Sequence, residues 1–82
     1  MYKTRTEDGK NNVSGKNIVR LRKSLKKKTS QRKLAEMLQR SGLDIDKNAI
    51  QRMESGARFI TDIELKIIAE VLNVTCDELL EE

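Results

Sequence analysis

The chain has no proline, no histidine and no tryptophan, and only one cysteine, one tyrosine and one phenylalanine among its 82 residues. Each scarcity excludes something. A lone Cys76 permits no internal disulfide and no cysteine metal cluster, and its expected state is a buried, unreactive thiol. Without histidine, a glycine-rich phosphate loop or a helper base near the serines, the chain lacks the usual parts of an enzyme and implies no cofactor. No run approaches the roughly 20 apolar residues of a membrane span, and the N-terminus lacks an apolar signal core, so a cytoplasmic location and no membrane partner are expected.

What is present points to helices. Apolar and charged residues each make up 37% of a chain with long helix-forming runs and few strand formers, which reads as one small all-α domain. The net charge of +4 conceals an asymmetry: residues 1–58 hold 16 Lys/Arg against 6 Asp/Glu, whereas residues 59–82 hold 1 against 7. A basic surface for a polyanion follows, with nucleic acid ahead of anionic lipid because no helix joins a lysine-rich face to a bulky apolar one.

Residues 1–13 show no apolar periodicity and are expected to form a disordered tail, in which Lys3, Arg5 and Lys10 offer a weak basic arm beside Glu7 and Asp8. The domain is expected over residues 14–82. Ile18, Leu21, Arg22 and Leu25 recur at helical spacing, so the first helix carries an arginine inside its apolar stripe. A guanidinium removed from water costs several kcal/mol unless an acid meets it, and Glu54 is the candidate partner. Lys26, Lys27 and Lys28 form a basic loop. Ser30 then caps a second helix with Leu34, Ala35 and Leu38 inward, Met37 at the flank and Gly42 near its end; Ile45 plugs the corner that follows. Thr61 and Glu64, then Thr75 and Glu78, have capping-box spacing and open a fourth and a fifth helix, with Leu79 or Leu80 folding back on the core.

The third helix is the informative one. In "DKNAIQRMESG" Asp46 is an N-cap and Ser55-Gly56 a left-handed stop, giving a helix of roughly nine residues. At 100° per residue, Lys47, Asn48, Gln51, Arg52 and Ser55 share one arc, while Ala49, Ile50 and Met53 share the opposite one. The outward arc bears long hydrogen-bonding side chains and no acid. Two short helices joined by a turn, with Ala35 small enough to let the second touch the third, make a helix-turn-helix layout.

Three segments in order, "SQRKLAEML", "DKNAIQRMESG" and "ELKIIAEVLNVTCDELL", resemble the phage Cro and repressor class of helix-turn-helix proteins, also called the xenobiotic-response-element type, over residues 16–80. The resemblance implies a lambda-repressor-like bundle of five short helices that binds double-stranded DNA as a transcriptional regulator, expected to be a repressor, on a two-fold operator. It implies base reading by Lys47, Asn48, Gln51 and Arg52, phosphate binding by Gln31 and Ser55, and a structural ion pair between Arg22 and Glu54. On physical grounds Ser30 at a helix N-terminus and the cation Arg58 are expected to meet phosphates as well. The backbone N–H groups after Ser55 fall on a phosphate-binding segment of the family, and Gln31 can also brace a residue of the third helix. The link from Leu38 to Ile50 is about five residues longer than the usual family pattern, so an extended turn separates helices 2 and 3. A homodimer at least on DNA is expected, formed through the helical domain at its C-terminal end. The rival is an antitoxin-like or regulatory module whose helical surface binds a protein, with DNA binding secondary.

Overall fold

The computed structural model describes residues 9–25, 27 and 29–82. Its elements are α1 (Gly15–Ser24), α2 (Gln31–Arg40), α3 (Lys47–Ser55), α4 (Asp62–Leu72) and α5 (Cys76–Leu80), with no strand among the described residues. The protein is all-α, as its composition required. The expected arm residues Lys3 and Arg5 and the loop residues Lys26 and Lys28 lie outside the described residues.

Four helices begin where a side chain can replace the missing backbone acceptor of the first turn. Ser30 Oγ accepts from Lys33 N at 3.0 Å, and Asp46 Oδ1 from Ala49 N at 2.8 Å. Thr61 accepts from Glu64 N while Glu64 Oε1 accepts from Thr61 N, a complete reciprocal box, and Thr75 accepts from Glu78 N. At the end of α2, Ser41 is the C-cap and Gly42, with a φ of 95°, is the left-handed residue that closes the helix as expected: Gly42 N donates to Gln39 O at 3.1 Å and Leu43 N to Leu38 O at 2.9 Å.

The core is built from the stripes that the spacing placed inward. Ile18, Leu34, Leu38, Ile50, Met53, Ile68 and Leu79 are all less than 2% exposed. Burying each of the larger side chains contributes roughly 1.5–3 kcal/mol. α3 packs on both α1 and α2, where Ala35 and Ala49 are buried, and α5 closes back on α1 and α4. Leu79 is the leucine that folds inward, and Leu80 remains 46% exposed. Asn17 completes the closure: buried on α1, its amide donates to Leu79 O at 2.8 Å and Glu81 O at 2.7 Å. Cys76 is half-buried at the edge of the core, less enclosed than expected, because it opens a helix too short to bury its first turn.

The extended turn of residues 41–46 is anchored at two points. Ile45 is buried in the corner between α2 and α3, and Gln39 Nε2 donates to Ile45 O at 2.7 Å. The added length is therefore held to α2, and Asp46 starts α3 from a fixed point.

The expected tail needs a correction at its C-terminal end. Asn11 and Asn12 are hydrogen-bonded to the end of α3 and the loop after it, through Asn11 N to Gly56 O at 2.8 Å, Asn11 Nδ2 to Ala57 O at 2.9 Å, and Asn12 Nδ2 to Arg58 O at 2.7 Å and Met53 O at 3.1 Å. Polar side chains bonding to backbone leave no apolar period, which is why these residues read as tail.

Candidate nucleic-acid interface

α3 is seated by its inner face. Ala49, Ile50 and Met53 are buried, and Lys47, Asn48, Gln51 and Arg52 are exposed on the opposite side. None of these four side chains makes a hydrogen bond or ion pair with another described residue. Nine residues at about 1.5 Å each give a rod of about 14 Å, and a helix with its side chains, about 10–12 Å in diameter, fits the roughly 12 Å width of a DNA major groove. The helix stops at Gly56, whose φ of 84° lies in the left-handed region that a side chain disfavours.

Behind the exposed face lies a buried polar network. Arg22 Nε and Nη2 donate to the two carboxylate oxygens of Glu54 at 2.7 and 3.0 Å, a bidentate pair tying α1 to α3. Side-chain exposure is 11% for Arg22 and 6% for Glu54, so both charges are withdrawn from water. The remaining guanidinium nitrogen, Nη1, donates to Thr29 O at 2.8 Å, and Gln31 Nε2 donates to Glu54 Oε1 at 2.8 Å. The expected ion pair is present with two partners that the spacing did not reveal. Gln31 takes the bracing role with one of its two amide N–H bonds, which leaves the second N–H as a donor that a phosphate could accept from.

The proposed phosphate contacts are placed unevenly. Ser30 is exposed at the N-terminus of α2, and its oxygen accepts from Lys33 N while its hydroxyl proton can still be donated. Ser55 is exposed and donates to Arg52 O at 3.1 Å. Arg58 is turned to α4, where Nη1 and Nη2 donate to Glu64 at 3.1 and 2.9 Å and Nη1 also reaches Phe59 O. Burial pulls the Glu64 carboxyl upward, but the bonds from Arg58 and Thr61 and the charge of Arg58 outweigh it and hold Glu64 below its ordinary value.

The N–H groups after Ser55 turn back on α3. Gly56 N donates to Met53 O, and Ala57 N and Arg58 N donate to Arg52 O. They are therefore occupied by the helix end, in contrast to the expectation that they face phosphate. The reason is the left-handed Gly56, which folds the chain so that these donors satisfy the last carbonyls of α3. Arg32 and Lys33, exposed in the first turn of α2 beside Ser30, are cations that the motif reading passed over. Lys33 lies 3.8 Å from Glu36, both side chains about half exposed, a pairing too weak to remove it from a solvated surface.

A helix-turn-helix family model of the Cro/C1 type matches residues 18–79, from within α1 to the last turn of α5. The chain belongs to that family. Comparison with curated proteins and with solved structures gives no significant match. As a helix-turn-helix protein it is a DNA-binding regulator, of a family that is generally non-enzymatic. In the family's terms α2 and α3 are the paired helices of the motif. Among the described residues no helix is long and apolar enough to cross a membrane, and no group of side chains could hold a metal ion.

Proposed function

We propose that the protein is a sequence-specific transcriptional regulator, a repressor, that inserts α3 in the major groove of double-stranded DNA. The observation that carries this reading is the acid-free outer face of α3, where Lys47, Asn48, Gln51 and Arg52 are exposed and unengaged by other described residues. Lysine and arginine donate to guanine O6 and N7; asparagine and glutamine can both donate to and accept from adenine. Asn48 and Arg52 are one turn apart, about 6 Å along the axis, which corresponds to about two base-pair steps of 3.4 Å. They read neighbouring positions. Ser30, Ser55 and the second amide N–H of Gln31 meet phosphates, together with cations around the N-terminus of α2, while the first N–H of Gln31 holds Glu54.

Exposed Phe59, Ile63 and Leu80, at 53%, 69% and 46%, support a homodimer on a two-fold operator, formed on the α4–α5 side. They serve equally the rival reading, a regulatory module with a protein partner, in which DNA binding is secondary.

Binding-site selection from random duplexes tests the reader. Asn48→Ala and Arg52→Ala should each relax preference at one or two positions, with a loss of about 1–3 kcal/mol. Gln31→Ala should weaken all sequences more evenly. If the two α3 variants fold normally and select the wild-type sequence, α3 is not the reader.

A further inference from the structure

The segment before α1 holds the recognition helix from its C-terminal end. Asn12 is the centre of that contact. Its amide nitrogen donates to Met53 O in the last turn of α3 and to Arg58 O beyond it, and its oxygen accepts from Gly15 N, the first residue of α1. One side chain thus joins the start of α1, the end of α3 and the loop that follows. Asn11 adds two bonds to the same loop, at Gly56 O and Ala57 O. The approach is close: a Cβ on Gly15 would overlap Met53 O and lie 2.9 Å from Glu54 O, and the Lys10 stem covers Gly56, within 2.7 Å of where a Cβ would be.

We infer that Asn12, supported by Asn11, is a positioning residue for DNA recognition, fixing the end of α3 and the Ser55–Arg58 loop on α1. The inference rests on α3 being the reader. Two features separate this strap from ordinary packing. Its bonds go to backbone carbonyls at positions 53, 56, 57 and 58, so it fixes main-chain geometry whatever the side chains there are. The start of α3 is fixed by Asp46 and the Gln39-anchored turn and its last turn by the buried Met53 and the Glu54–Arg22 pair, whereas the main chain of residues 56–58 is tied to the N-terminal side of the domain by the strap. Arg52 and Ser55 lie in the C-terminal half of α3. A small shift of the main chain at residues 55–58 moves the proposed phosphate contact at Ser55 and the carbonyl end of α3 under Arg52 without opening the core.

The test compares wild type with Asn12→Asp, Asn12→Ala and Asn11→Ala on one duplex recovered by selection with wild-type protein. Asn12→Asp keeps the shape and removes the donor. Asn11→Ala removes the Ala57 bond and an amide oxygen that is buried without a partner, so it should fold even if the Asn12 variants do not. At a temperature where each variant is fully folded by circular dichroism, the Asn12 variants should bind roughly tenfold more weakly and Asn11→Ala roughly threefold, the scale of one or two lost hydrogen bonds. Amide exchange at Gly56, Ala57 and Arg58 should rise while that at Leu34 and Ile50 stays unchanged.

Wild-type affinity in the folded variants overturns the inference. So does exchange that rises evenly through all the helices, because the strap would then only stabilise the fold. Failure of the wild-type protein to bind any duplex overturns the DNA reading itself, and is recognised because that arm carries no substitution.

Discussion

Glu54→Gln should destabilise the protein by about 2–4 kcal/mol. The carboxylate accepts three N–H groups at 2.7–3.0 Å, two from Arg22 and one from Gln31. An amide keeps one accepting oxygen and replaces the other with a donor, which then faces a donor. Removing one partner of a fully buried pair typically costs about 3–5 kcal/mol, because the other charge is left unpaired. Here Arg22 retains Thr29 O and is 11% exposed, which places the loss lower. For a domain of this size the melting midpoint should fall by roughly 10–25 °C. Thermal and urea denaturation followed by far-ultraviolet circular dichroism measure it. The double variant Arg22→Met/Glu54→Leu should be less destabilised than either Arg22→Met or Glu54→Leu alone, since no orphaned charge remains. A midpoint unchanged in Glu54→Gln, or single losses that simply add in the double variant, would refute the claim that a buried pair joins α1 to α3.

Gly15→Ala should destabilise by about 1–3 kcal/mol in the same assay, despite alanine's better helix propensity, since the new methyl meets the backbone oxygens of Met53 and Glu54. The log of the DNA affinity should fall against log salt with a slope of about −5 if six phosphates are contacted; a flat response favours the protein-partner reading. Because the Glu64 carboxyl is held below its ordinary value, its contribution to stability is full above the ordinary carboxylate range and is lost as pH falls through its folded value. The stability gap between wild type and Glu64→Gln should therefore shrink on acidification, and a gap that is constant with pH would remove Glu64 from the acid response.

The sequence alone determined the helices and their inner faces. Apolar residues at helical spacing and small polar residues at helix starts are local signals, so Ser30, Asp46, Thr61 and Thr75 marked the helix starts and Leu34, Leu38, Ile50 and Met53 marked the core before any packing was known. The outer face of α3 was legible for the same reason. Even the Arg22–Glu54 pair was, because a cation in an apolar stripe demands an acid.

The tertiary structure decided which polar groups are spent on the protein itself. Arg58 carries a charge suited to phosphate, yet the fold sets it against Glu64; the N–H groups after Ser55 close α3; Gln31 braces Glu54. Asn12, in a segment without period or charge pattern, anchors the end of α3. Hydrogen bonds between residues far apart in the chain leave no repeating signature in it, since any residue with a donor or acceptor can make them. Only the meeting of α1 with α3, and of the loop after α3 with α4, determines which side chains remain for DNA.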